Sequence, residues 1–299
     1  MAGDFWKSSH YEQWILDKQD LLRNRAEDLK ILTEEEYQKT MIYFVNYIHS
    51  LVNDGNLGCR EHMIATACVF FRRFYAVRSL KDIDPFLMAH TCLFLASRVD
   101  ECGIIASKSL YNALTMTSKT RPWFPTIPEH EIKGHMRLIN EAEFYLLEIL
   151  DCCLIVYHPY RTLLQIMTDV LKENPKEKEV VFDAWKIVND SLRSDACLLF
   201  PPHQIAVASF MISVTLNKKE NEFKKWFQEL NTDYDEIFEI IKMIMHCYKL
   251  QGDILDSPEN SPKIKALFSK IPKPMPQLPQ IPNIGNGSSM DIKMHFERK

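Results

Sequence analysis

Glycine is scarce in this chain: 8 residues among 299, with only Gly103 and Gly134 between Cys59 and Leu250. So little glycine leaves few positions for tight hairpins or phosphate-cradling loops, and the chain is expected to be all-helical. None of the 8 cysteines forms a Cys-x-x-Cys pair. Several lie among apolar helical residues, where a reduced thiol acts as a small hydrophobe, as suits a reducing, intracellular setting. Long apolar runs are missing as well. The longest buried-type stretch, Phe86 to Ala96, is broken by His90 and Thr91 and is far shorter than the roughly 20 residues that span a bilayer. The Met-Ala-Gly-Asp-Phe-Trp-Lys start carries no apolar signal core, so a soluble protein away from membranes is expected. There is no surplus of positive charge: 36 basic residues face 40 acids. From Lys263 onward seven bases meet two acids, so the body before it stands near −9 when the whole chain is −4. A body that acidic is poorly suited to tracking a phosphate backbone, and no direct nucleic-acid partner is expected.

What is present is helical periodicity. Asp84-Pro85 offers a capping residue and a first-turn proline, and the residues to Ala96 are apolar on nearly every side, which predicts a buried central helix. Around it, Ser9-x-x-Glu12 reads as a capping box for one N-terminal helix running to Leu29. Thr33-x-x-Glu36 opens a second helix that stops at Asn53-Asp-Gly-Asn56. Cys59 to Ala76, a short helix near Ser107 to Met116, and Glu129 to Leu150 complete, with the central helix and the one from Thr33, a set of five beyond the N-terminal helix. Asp151 to His158 has no helical period and marks a join. Five further segments then follow: 159–171, 179–200, 202–216, 222–230 and 235–250. The run from Pro202 repeats the pattern of the run from Pro85 at an offset of 117 residues, so two tandem five-helix units are expected. The domain reading is an N-terminal arm (1–32), a first unit (33–150), a second unit (151–252) and a basic, proline-rich tail (253–299) expected to be disordered. Its two Ser-Pro steps are candidate phosphorylation sites.

No enzyme chemistry emerges from the motifs. His130 and His135 are five apart, which on a helix sets them roughly 140° apart, so both cannot face one metal there. Cys152-Cys153 on an extended linker point to opposite sides, which argues against a metal site with His158. No Gly-x-Ser-x-Gly or glycine-rich phosphate loop occurs. No catalytic residue, cofactor or metal is therefore expected. Two charges do stand where the pattern calls for apolar residues. Glu143 lies between Ile139 and Leu146-Leu147 on its apolar stripe, and Arg98 lies in the last turn of the central helix after Phe94 and Leu95. A carboxylate so placed is costly unless it is paired or kept for a partner. Pairing of Arg98 with Glu143 inside the molecule and a polar contact pair at a partner surface both explain them.

Leu95-Ala-Ser-Arg-Val-Asp-Glu101 resembles the Leu-Ala-Ser-Lys-hydrophobic-Glu-Glu motif of the cyclins, whose fold is two tandem five-helix boxes. Further stretches are similar to the Mediator-associated transcriptional cyclins: Phe5-Trp-Lys-Ser-Ser-His-Tyr11, Trp14 to Leu22, Glu143-Phe-Tyr-Leu-Leu147, Asp151 to Arg161 and Leu198-Leu-Phe-Pro-Pro202. The resemblance covers about residues 1 to 250. It implies a nuclear regulatory subunit that binds and activates the cyclin-dependent kinase of the Mediator kinase module, alongside that module's other subunits, in RNA polymerase II transcription. In the family a lysine ending the third helix and a glutamate in the fifth clasp the start of the kinase's regulatory helix; by motif position these are Arg98, an arginine here, and Glu143. The N-terminal arm, with Trp6 and Trp14, is implied to add kinase-specific contacts. The Met-Arg-Ala-Ile-Leu patch of cell-cycle cyclins is replaced by Met41-Ile-Tyr-Phe-Val45, so docking of Arg-x-Leu substrates is not implied. The alternatives are a two-box nucleic-acid-binding factor like the general transcription factor IIB core, and a scaffold that binds a kinase without activating it.

Overall fold

The structure, a computed structural model, describes residues 3–272 apart from positions 56, 59, 174–177 and 255–260. Among the described residues all regular structure is helical. The N-terminal arm is not one helix. It consists of a 3-10 turn at Phe5–Lys7, then α1 (Ser9–Trp14), α2 (Lys18–Asn24) and a second 3-10 stretch at Arg25–Lys30. The first cap is Ser8, not Ser9: its hydroxyl accepts from the Tyr11 N–H at 3.3 Å. Asp17 then caps a fresh start at α2, accepting from the Gln19 N–H at 2.7 Å. Between the two helices the chain is extended, and the Leu16 N–H donates to the Leu198 carbonyl at 2.8 Å, which ties the arm to the second unit.

The first unit comprises α3 (Glu34–Asn53), α4 (Glu61–Val77), α5 (Pro85–Val99), α6 (Ser107–Thr120) and α7 (Ile132–Ile149). α3 opens on the expected capping box, with Thr33 and Glu36 each satisfying the other's backbone N–H. α5 is the expected central helix. Asp84 caps it, accepting from the Phe86 N–H at 2.8 Å, Pro85 sits in its first turn, and Met88 to Ser97 are all buried. α3, α4 and α7 pack round it. Even His90 is accommodated there, bonded through Nε2 to the Tyr47 hydroxyl at 2.8 Å and through Nδ1 to His135 at 2.9 Å.

The second unit comprises α8 (Tyr160–Glu173), α9 (Lys178–Ser191), a one-turn α10 (Ala196–Leu199), α11 (Pro202–Leu216), α12 (Glu220–Glu229) and α13 (Tyr234–Ile254). α11 is the counterpart of α5, packed by α8, α9 and α13. The expected single helix over 179–200 is broken at 192–195. There Arg72 from α4 reaches across and its guanidinium takes the carbonyls of Leu192, at 2.6 Å, and Arg193, which a continuing helix would have used internally.

The same guanidinium meets the buried Asp195 at 3.0 Å, and Arg25 from the arm donates to that carboxylate twice, at 2.8 and 2.6 Å. Gln38 of α3 adds a bond at 2.7 Å. Burial alone would lift the Asp195 carboxyl; Arg25 and Arg72 override it and hold it at about 2. Arm and both units are thus clamped on one carboxylate.

Part of the expected disordered tail is ordered. α14 (Ser261–Lys270) folds back on the first unit, with the Phe268 ring 4.8 Å from that of Tyr43 and 5.6 Å from that of Phe44. Residues 273–299, with four of the tail's seven prolines, are outside the described residues.

Candidate functional site

The end of α5 is built by an unusual terminator. The Cys102 N–H donates to the Ser97 carbonyl at 2.9 Å and the Glu101 N–H to the Arg98 carbonyl at 3.2 Å, the paired bonds of a Schellman motif. The left-handed residue that this motif requires is Glu101, at φ 54°, where glycine is usual. The turn halts the buried helix while Arg98 is still in its last turn, where a cation also offsets the helix dipole. α7 packs alongside, and the Arg98 guanidinium donates through Nη2 to Glu143 Oε1.

Glu143 keeps 14% of its side-chain surface and Arg98 43%. The glutamate is therefore sunk between Ile139 and Leu146, both buried, while the arginine lies half in solvent. A pair exposed to that degree contributes only about 0 to 1 kcal/mol to stability. Its more consequential effect is to hold a cation and an anion in fixed relation at the surface. Apolar side chains close in sequence to the pair are exposed: Phe144, next to Glu143, is 70% exposed, and Ile104, just past the α5 turn, is 85% exposed. Large apolar residues left in water beside a fixed ion pair suit a partner surface more than a stability role.

The two tryptophans part company. Trp6 is 54% exposed and sits edge-on to Tyr11 at 4.9 Å and tilted over His203, at the start of α11, at 5.5 Å. It remains available to a partner. Trp14 does not: it is 5% exposed, with the Arg73 guanidinium 4.9 Å above its ring, so the expectation of a partner contact there gives way to a role in the core under the arm. The residues that sequence reasoning passed over are Arg25, Arg72 and Asp195. Arg72-Arg73 inside Val69-Phe-Phe-Arg-Arg-Phe-Tyr75 was the available signal, two charges in the middle of an aromatic helix.

Between the units, a cleft of about 230 Å³ is lined by Asn46, His49, Asp54, Arg121, Arg193 and neighbours. Its cations are matched by anions, Arg121 by Asp54 and Arg193 by Asp190, so it presents no net positive surface. Among the described residues, no group of three or more metal-type side chains is assembled.

Comparison with known proteins places two family descriptions on the chain: "Cyclin, N-terminal domain" over residues 12–155 and "Cyclin C-terminal domain" over residues 158–251. Cyclin-C of Drosophila pseudoobscura pseudoobscura is 49% identical over 276 residues, covering 92% of this chain and 98% of that protein. Cyclin-C of Rattus norvegicus is 47% identical over 277 residues, covering 92% of each. Among solved structures, a chain of the yeast TFIIK (Kin28/Ccl1/Tfb3) complex is similar with a TM-score of 0.61 at 22% identity, covering 80% of this chain and 100% of that one. A chain of the CAK complex from Chaetomium thermophilum gives 0.65 at 18% identity, covering 89% and 87%. At those identities the structural likeness speaks for the fold.

Proposed function

The chain belongs to the cyclin family, whose members are regulatory subunits of kinases and not catalysts, and from that premise we propose that it binds and activates the cyclin-dependent kinase of the Mediator kinase module. On this reading it works in the nucleus, in RNA polymerase II transcription. The boxes are residues 33–150 and 151–252, and the contact residues are Arg98, Glu143 and Trp6.

The observation that carries the proposal is the fixed Arg98–Glu143 pair at the end of the buried α5, beside exposed Phe144 and Ile104. The family's kinase clasp pairs a cation ending the third helix of the first box with an acid in the fifth, and α5 and α7 are those helices. Glu143 can accept from N–H groups at the start of the kinase's regulatory helix. Arg98 has five N–H donors, of which the contact to Glu143 uses one nitrogen, which leaves others able to donate to a partner's carbonyls. The apolar side chains around them supply the desolvated area that makes such contacts tight. Holding the kinase helix inward lets its glutamate meet the ATP-binding lysine, a shift of population toward the active arrangement rather than any chemistry by this chain.

Mixing the purified chain with the purified Mediator kinase tests the partner. A 1:1 complex is expected on gel filtration, weakened at least fivefold in affinity by Phe144→Ala, on the order of 1 kcal/mol or more. No complex with this kinase, in the presence of a complex with another cyclin-dependent kinase, would reassign the partner while leaving the family reading intact.

A further inference from the structure

Arg72 and Arg73 are neighbours on α4 and equally buried, yet only one of them has a counter-ion. Arg72 holds the Asp195 carboxylate and two carbonyls. Arg73 has a single hydrogen bond, from Nη1 to the Cys153 carbonyl at 3.3 Å, and its Nε and Nη2 are buried without a partner. Among the described residues no carboxylate pairs with it. Burial pulls its guanidinium down to about 10, against the smaller opposing effects of Cys197 and Cys153, so it stays charged at neutral pH. Neither thiol supplies the missing negative charge: Cys153 Sγ donates to Gln13 Oε1 at 2.8 Å, and burial pushes the Cys197 thiol up to about 11. A buried cation left in this way is strongly destabilising unless an anion compensates it.

The arm adds donors to the same place, not acceptors. His10 and Trp14 lie one turn apart on α1, both buried, with the Trp14 ring 4.9 Å from the Arg73 guanidinium. Burial, helped by the nearby Arg73 charge, keeps His10 neutral. Its Nδ1 accepts from the Tyr157 N–H at 3.0 Å, so the ring proton is on Nε2, and that atom is buried without a partner. The indole N–H of Trp14 is buried without one too. The four unpartnered atoms on these three residues are thus all donors, and none can answer another. Nε and Nη2 form one edge of the Arg73 guanidinium, with two N–H bonds pointing the same way, the fork that suits an anion.

We propose that Arg73 holds a small monovalent anion of the chloride class beneath α1 as its counter-ion. Nε and Nη2 donate to it, and the arm supplies His10 Nε2 and Trp14 Nε1 as further donors. Water can accept from these groups, but it brings no charge and presents protons of its own. Because His10, Trp14 and Arg73 are each no more than 5% exposed, a carboxylate carried on a partner chain does not reach the fork. With donors from α1 and α4, the ion fastens the N-terminal arm to the first box.

The test uses the full chain and the full-length variant Arg73→Met, which keeps an unbranched side chain without the charge. For a dissociation constant of about 10 mM, replacing sodium gluconate by about 300 mM sodium chloride at constant ionic strength should raise the melting temperature of the unaltered chain by about 3 °C. The variant should show no rise. Equal responses of the two chains, or no rise in the unaltered chain, overturn the proposal. Should the variant misfold, crystals of the unaltered chain grown in sodium bromide decide. An anomalous bromide peak within hydrogen-bonding distance of Arg73 Nε and Nη2 upholds the site; a water at that place, or peaks at surface residues alone and so an adventitious ion only, overturns it.

Discussion

Arg98 and Glu143 each break an apolar pattern, and the structure joins them while leaving half of Arg98 in solvent. Such a contact is a poor stabiliser, so Arg98→Ala should shift the melting temperature by no more than the equivalent of about 1 kcal/mol. Asp195 is the opposite case. It is buried and shared by two guanidiniums, and removing one partner of a buried ion pair typically costs about 3 to 5 kcal/mol because the remaining charges stay buried. Asp195→Ala should therefore lower the urea midpoint far more than Arg98→Ala; equal effects would refute the contrast. Histidines set the pH response. Burial lowers His10, His49 and His90 to about 3, with smaller contributions from Arg73, Arg193 and His135 respectively. In the unfolded chain they would titrate near 6.5, so below that pH the unfolded state binds protons that the native state refuses. Stability should be full above about pH 6.5 and fall toward pH 3, with a slope of about 4 kcal/mol per pH unit near pH 5 from three groups. A urea midpoint unchanged between pH 7 and pH 5 would contradict this.

At the scale of elements, α5 and α11 carry the internal repeat further than residue type alone showed. Both open on proline, both run 15 residues, and both end in a Schellman turn with a left-handed non-glycine residue, Glu101 and Lys218, again 117 positions apart. At the position of Arg98 the second box has Thr215, whose hydroxyl turns back to the Met211 carbonyl, so a cation in the last turn belongs to one copy only. Glu101→Gly should stabilise the chain by on the order of 1 kcal/mol by relieving the left-handed strain, read as a raised melting temperature. The central helices, their caps and the odd charges were legible because proline, capping residues and periodicity act locally. The break at 192–195 was not, since its cause is Arg72, some 120 positions away in sequence. The burial of Trp14 likewise depends on Arg73. α14 was hidden by composition: its apolar stripe stands beside a run of prolines that reads as disorder.

The whole molecule is two copies of one helical plan, made unequal by an arm, a clamp and a cation in the last turn of one central helix. The buried network through Asp195 predicts that the boxes unfold together, as a single calorimetric transition, and that Asp195→Ala separates them. The surface follows the same asymmetry, with the fixed ion pair and its exposed apolar neighbours on the first box. Activation of a kinase through this end of α5 is the central step of the proposed function. Its most direct test is the turnover of the purified Mediator kinase on a peptide substrate with saturating amounts of this chain, compared with the full-length double variant Arg98→Ala, Glu143→Ala. The unaltered chain should raise turnover, and the variant, with an unchanged melting temperature, should need at least tenfold more protein or reach a lower plateau. A variant that activates as well as the unaltered chain, or an unaltered chain that binds without raising turnover, would contradict the claim.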